Sequence, residues 1–362
     1  MVKTIVIEGQ DQVGKADSTA AIVDMLSRAG NLVRTISYPY YALPFGTLVR
    51  AFLTENEKFR KISGLEHVWD TPRQLEITGV ILALNRLETL PGIIETVDDD
   101  SILVCDRGPY SMCVTVAYGL NYGLIEENDV SGMLDKFLDI DSAYRSYLGT
   151  DNAIIQLKSE GDIKQVRSGE RTDTDIYEVS TVQSLTRQVY EQMSKRFVNW
   201  AEVVTRYDGV GMRWRDRKEI LEENGSFLRK WGFKVDIGSI NDNDTNNQYD
   251  KNIEMNTDLN VVKKRFVDIE DTARALYGIH LDRSDVILWR DAHARRNEDL
   301  IHSSSKHIGQ KISRLVKPGD ISWPTEVVDH ISRLIKEYPE VLVMAENILC
   351  NEFSSALKIS AP

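Results

Sequence analysis

Residues 9 to 15 read Gly-Gln-Asp-Gln-Val-Gly-Lys, placed between a short apolar run, Thr4 to Glu8, and a helix-like stretch, Lys15 to Ala29. A strand that turns into a helix through two glycines leaves the chain few folds. Glycine tolerates backbone that side chains do not, the turn gathers N–H groups, and the start of the helix adds a field that favours anions. A lysine directly after the second glycine can reach the outer oxygens of a bound phosphate. Gly9, Gln12, Val13, Gly14, Lys15, Ala16 and Asp17 are therefore expected to form a phosphate-binding loop. One position departs from the usual pattern. A serine or threonine after the lysine offers magnesium a hydroxyl, and Ala16 offers none. Either the loop binds a nucleotide without transferring phosphate, or magnesium is held through water and the phosphates, which its reluctance to dehydrate permits.

The rest of the first half alternates between two periods. Val33–Tyr38, Ile102–Cys105, Asn152–Leu157 and Val203–Asp208 read as strands. Phe45–Leu53, Gln74–Leu90, Tyr110–Gly119, Val179–Trp200 and Arg215–Trp231 have helical spacing. This alternation predicts an α/β fold, a mostly parallel sheet with helices on both faces. Asn, Asp, Ser and Thr dominate Gly238 to Asn256, the composition of an exposed linker. Leu259–Gly278, Asp285–Val316 and Pro324–Ile359 then show helical spacing with few strand signals. The expected division is an α/β domain over residues 1–236, a polar linker over 237–258, and a smaller mainly helical domain of unassigned role over 259–362.

Charge limits the partners. With 44 Lys and Arg against 56 Asp and Glu, the formal charge is −12, which argues against a surface that coats nucleic acid. Anionic ligands must be met by local basic clusters. The densest of these, Arg283 to Lys317, is either a DNA contact or a solvated helix face. The three cysteines, Cys105, Cys113 and Cys350, have neither zinc-ligand nor disulfide spacing, which fits a reducing cytoplasm. No leader pattern opens the chain and no apolar run approaches the roughly 20 residues of a spanning helix, so no membrane is expected.

Several segments, taken in order, resemble the thymidylate kinase family of nucleoside monophosphate kinases. Its E-G-x-D-x-x-G-K loop is similar to Glu8 through Lys15. An F-P dipeptide leading to an arginine-bearing helix is similar to Tyr38-Pro39 through Gly46 to Arg50, and an N-R pair to Asn85-Arg86. A strand ending in D-R with a later serine is similar to Asp106-Arg107 and Ser111. An arginine-rich lid is similar to Arg167, Arg171 and the trailing Glu178. The resemblance covers roughly residues 1–233 and implies a P-loop fold, ATP as donor, Mg2+ as its ion, and a small nucleotide acceptor. It implies that Lys15, Arg107, Arg167 and Arg171 stabilise the moving phosphoryl group and that Asp11 approaches the acceptor sugar.

Asp106 would hold magnesium or merely end its strand. Arg50 and Arg86 are acceptor contacts or solvated charges. Tyr40 and Tyr41 stand where the family carries an arginine, and Leu82 where it carries a base-stacking aromatic. Tyr38 and Tyr41 are then a substitute stacking wall or simply loop packing. These departures keep open a hydroxylated pyrimidine nucleotide, or a base in DNA, as acceptor. Ala16 keeps open a silent nucleotide-binding protein. A homodimer stays open as the assembly.

Overall fold

The computed structural model describes residues 3–41, 44–54, 60, 65–97, 100–149, 152–161, 176–177, 179–207, 213–238, 325–341 and 343–344. Arg167, Arg171, Glu178 and the basic stretch 283–317 lie outside these residues. By internal contacts the chain divides into two compact units, Met1–Tyr38 with Thr96–Glu254, and Pro39–Glu95 with Met255–Pro362. Residues 39–95 group with the C-terminal segment in this division.

In the first unit, near-continuous apolar runs bury three inner strands, over residues 3–9, 101–106 and 153–160, on both faces. Strands β1 (Lys3–Gly9), β2 (Leu32–Ser37), β3 (Ser101–Asp106), β4 (Ala153–Glu160), β5 (Trp200–Tyr207) and β6 (Arg213–Trp214) form one sheet in the order β2-β3-β1-β4-β5-β6. The first five are parallel and β6 runs antiparallel to β5. β1 is central, with Ile7 opposite Asp106 on β3 and Gly9 opposite Leu157 on β4. The chain leaves β1 toward β2 and leaves β4 toward β5, in opposite directions across the sheet. Ligands of open α/β sheets bind in the crevice that such a divergence opens at the carboxyl ends of the strands.

Helix α1 (Lys15–Arg28) buries Ile22, Met25 and Leu26 against Ile5, Ile7, Val104 and Ile155. Five further helices are described in this unit. They are labelled in chain order after α2 (Pro44–Thr54), α3 (Pro72–Leu87) and α4 (Leu90–Thr96). Helix α5 (Met112–Asn121) and helix α8 (Ser180–Ser194) pack on one another. Helix α9 (Arg217–Lys230) starts at Asp216, whose carboxylate accepts from the backbone of Lys218 at 2.8 Å and Glu219 at 3.2 Å, a cap worth about 1 kcal/mol.

Two differences from the sequence reading have plain causes. Helices α6 (Val130–Ile140) and α7 (Ser142–Leu148) were not expected. Yet Val130, Met133, Leu134 and Phe137 are buried at helical spacing, so α6 was legible. The helix expected over Val179–Trp200 ends at Ser194, because Trp200 begins β5 opposite Ile154.

The second unit holds α2, α3, most of α4 and α10 (Thr325–Glu337). Pro72–Ile94 is, by length and composition alone, long and apolar enough to cross a membrane, which corrects the expectation that no such run exists. In the fold 88% of that window is buried, as in a core helix. Helix α10 and the turn after it bury Ile331, Leu334, Ile335, Tyr338 and Val341. Their link to α3 is Arg73, which donates to both carboxylate oxygens of Glu340 at 2.9 and 3.0 Å and to the Glu337 carbonyl at 2.6 Å. The guanidinium also pairs with Glu76 and lies 4.4 Å from the centre of the Tyr338 ring.

Replacing Arg73 with alanine removes this bidentate pair and leaves Glu340 without its partner. Because the joint is partly solvated, the expected loss is about 1 to 2 kcal/mol. Hydrogen exchange should speed up about tenfold in peptides covering residues 325–344, with β1 peptides unchanged.

Candidate functional site

The carboxyl end of β1 runs directly into the glycine loop. At Gly9, with φ of 139°, a Cβ would lie 2.1 Å from the Leu157 carbonyl oxygen, so the position admits no side chain. Gly14, with φ of 80°, is left-handed at the start of α1. Gln12 adopts φ of 61° without being glycine. Strand β5 holds the loop from behind. Thr205 Oγ1 donates to the Val13 carbonyl at 2.8 Å, and Arg206 Nη1 to the Gln12 carbonyl at 2.8 Å. Satisfying those carbonyls suits a loop that offers N–H groups to an anion.

Charges converge here. Lys15 is buried, its Nζ donating to the Gly9 carbonyl at 3.2 Å and to the Gln10 carbonyl, 3.7 Å from Asp11 Oδ1. Arg107 follows β3, in a left-handed conformation with φ of 68°, and its guanidinium pairs with Asp11 Oδ1. Asp106, half-buried at the end of β3, accepts at its carbonyl from Tyr38 N at 2.9 Å. Glu8 is 0% exposed, and its Oε2 accepts from Ser111 Oγ at 2.7 Å and Tyr190 OH at 2.9 Å. Glu8 Oε1 has no hydrogen-bond partner among the described residues.

Burial and charge act against each other in this cluster. Burial pushes Glu8 up to about 7, against the pull of Ser111, Arg107, Tyr190 and Lys15. It pushes Lys15 down to about 8, helped by the Arg107 charge and opposed by Asp11, Asp106 and Glu8. Asp11 would be raised by burial too, but Arg107 and Lys15 outweigh this and hold its carboxyl below the ordinary range. Crowded cations beside an orienting carboxylate, in front of a helix N-terminus, form a device for gathering anionic oxygens.

A cleft of about 360 Å³ borders the loop at Val13 and Gly14 and is lined further by Asp17 and Ser18 of α1, Thr205 and Trp214. The Trp214 ring reaches the loop, with Cζ3 3.5 Å from the point where a Gly14 Cβ would stand. Ala16 and Asp17 are exposed.

Of the residues singled out from sequence, Gly9, Asp11, Gln12, Val13, Gly14, Lys15, Asp106, Arg107 and Ser111 gather at the carboxyl ends of β1 and β3. Tyr38 is buried instead, its hydroxyl 2.6 Å from that of Tyr144 and its ring edge-on to the Tyr144 ring, so it packs the core.

The second unit carries Tyr41, Arg50, Leu82 and Arg86. Tyr41 is 44% exposed, Arg50 exposed, Leu82 half-buried and Arg86 buried. There Asn85 exchanges hydrogen bonds with the backbone of Tyr40 at 2.9 and 2.8 Å. Glu88 accepts from the N–H groups of Phe45 and Gly46, each at 2.9 Å, and so satisfies two donors in the first turn of α2. Sequence reading missed Gln183, Tyr190, Thr205 and Trp214. The first two are polar or aromatic positions on an amphipathic helix, with no local signal of their own.

Because Glu8 binds its proton more tightly folded than unfolded, its contribution to stability is present at low pH and lost as pH rises through about 7. Between pH 5 and 8 the wild type should lose about 2 to 3 kcal/mol relative to Glu8→Gln, measured by denaturant unfolding at each pH.

No family model matches the chain, and no curated protein matches it either. Among solved structures it is similar to a thymidylate kinase from Candida albicans, at 16% identity and a TM-score of 0.45, over 63% of this chain and 92% of that one. A likeness this slight does not bear on function.

Proposed function

We propose that the chain is an ATP-dependent phosphotransferase whose acceptor is a (deoxy)nucleoside monophosphate. The observation that carries this reading is the meeting of Lys15, Asp11 and Arg107 at the ends of β1 and β3, in front of α1. Phosphoryl transfer asks little covalent chemistry of a protein and much positioning and charge neutralisation. In this reading the loop N–H groups and Lys15 hold the donor phosphates, and Arg107, with Arg167 and Arg171 from the sequence expectation, neutralises the transferred group. Asp11 orients the acceptor. Tyr41, Arg50, Leu82 and Arg86 are proposed acceptor contacts on the sequence resemblance alone. The cleft beside Trp214 suits the donor base, since an indole face stacks on a planar ring.

An oxygen of the acceptor phosphate forms a bond to the γ-phosphorus as the bond from that phosphorus to the bridging β-oxygen breaks, and ADP leaves. No protein residue is covalently modified, and an ionised acceptor phosphate needs no base. The donor set fits magnesium only sparsely. Asp106 is the residue that would hold the ion, directly or through water, while Ala16 supplies no ligand. When bound, the ion would add charge neutralisation at the phosphates.

The missing hydroxyl at Ala16 is also what favours the second reading, a nucleotide-binding protein without turnover. Labelled ATP with magnesium, offered to nucleoside monophosphates, hydroxylated pyrimidine nucleotides and DNA, separates the readings. Transfer to one acceptor, reduced about 10²- to 10³-fold by Lys15→Ala, is the expected outcome. Saturable ATP binding without transfer to any acceptor would establish the silent reading instead.

A second measurement follows from Lys15, held near 8 without ligand. Phosphates at Lys15 favour its charged form, so ATP binding at pH 8 should take up roughly half a proton. Calorimetry in two buffers of different ionisation enthalpy reads the uptake, which should fall in Lys15→Met.

A further inference from the structure

Asp11 lies on a loop, and the rotation of its carboxylate is an intrinsically broad torsion that the 3.7 Å approach of Lys15 to Oδ1 alone does not fix. Yet its Oδ1 faces both Arg107 and Lys15. The group that holds it comes from 172 residues away. Gln183, on α8, is 2% exposed. Its amide oxygen accepts from the Asp11 backbone N–H at 2.8 Å, and its amide nitrogen donates to Asp11 Oδ2 at 3.0 Å. The same nitrogen donates to the Tyr177 carbonyl at 2.9 Å, which leaves the amide no spare donor with which to turn away.

The main chain of Gln183 is tied in as well. Its carbonyl accepts from Gln10 Nε2 at 2.7 Å, and Gln10 Oε1 accepts from the Ser159 N–H at 3.3 Å on β4. The loop is thus braced between helix and sheet at the residue before Asp11 and gripped at Asp11 itself. With Oδ2 taken by a neutral donor, Oδ1 is the oxygen left to the cations.

The requirement is chemically narrow. One planar group must accept from a backbone N–H and donate to a carboxylate, which a carboxamide does and neither a hydrocarbon nor a carboxylate can. A glutamate there would keep the acceptor, lose the donors and set a like charge beside Asp11.

We propose that Gln183 is the positioning residue of Asp11, fixing the orientation in which its carboxylate faces Arg107 and Lys15 and meets the acceptor. The clamp rests on geometry alone; its effect on transfer rests on the phosphotransferase reading. The test compares wild type, Gln183→Met and Gln183→Glu by 13C-carboxyl NMR titration of Asp11, assigned with Asp11→Asn, together with kcat and KM for each substrate.

In Gln183→Met the Asp11 midpoint should move up, and kcat should fall about tenfold or more while the KM for ATP stays within about twofold, a split that lost stability alone would not produce. Gln183→Glu should raise the midpoint further, and it carries the test if the methionine variant does not fold. An Asp11 midpoint that stays put in both variants overturns the clamp. A midpoint that moves while kcat holds overturns its role in transfer. A wild type that transfers no phosphate sinks the phosphotransferase reading, while the Asp11 titration still supports or overturns the clamp.

Discussion

The carbonyl of Leu157 stands where a side chain at Gly9 would have to be. Because β1 and β4 stay paired up to that residue, the chain reaches the end of the sheet with no slack and must turn at once into the loop. The neighbouring register does the same from the other side, setting Asp106 opposite Ile7 so that Arg107 emerges beside the loop, where its N–H donates to the Ile7 carbonyl at 2.8 Å. Lys15, Asp11 and Arg107 therefore meet through backbone pairing before any side-chain attraction acts. Position comes from the sheet, and charge then completes it.

Completion has an electrostatic cost that the cluster spreads over several groups. Two cations and several carboxylates are withdrawn from water within a few residues of one another, and each group alone would be driven to its neutral form. Burial dominates at Glu8 and Lys15, and opposite charge dominates at Asp11. The cluster is in this sense pre-stressed. Lys15 and Arg107 repel one another across it, and the Asp11 carboxylate between them offsets part of that repulsion. Arg107 and Gln12, held at positive φ without being glycine, add backbone strain at the same place.

What could be read from the chain was what short-range pattern encodes. The glycine loop, the strand before it, the helix after it and the Asp106-Arg107 strand end each lie within one segment, and each forms where expected. The α6 periodicity, carried by Val130, Met133, Leu134 and Phe137, is just as local. Unreadable features share a different trait. Gln183 earns its place through a partner far along the chain, Tyr190 through Glu8 on another strand, and Arg73 through Glu340. No local signal marks such a residue, since glutamine, tyrosine and arginine on amphipathic helices are ordinary in themselves. Tyr38 shows the converse, an aromatic whose type suggested a ligand face and whose surroundings made it core.

The Arg73–Glu340 joint has a consequence for how the chain is made. Its two halves are separated by 267 residues, and its unit is assembled from Pro39–Glu95 and Met255–Pro362 with the longer segment of the first unit, Thr96–Glu254, between them. At usual elongation rates, on the order of tens of seconds pass on the ribosome between the emergence of α3 and that of its brace. Through that interval the apolar face of α3 meets none of the side chains of α10. The first unit, interrupted only by one short excursion, has its sheet complete well before. Nascent chains of this protein should therefore depend on general chaperones through a defined window, one that opens with α3 and closes with Glu340.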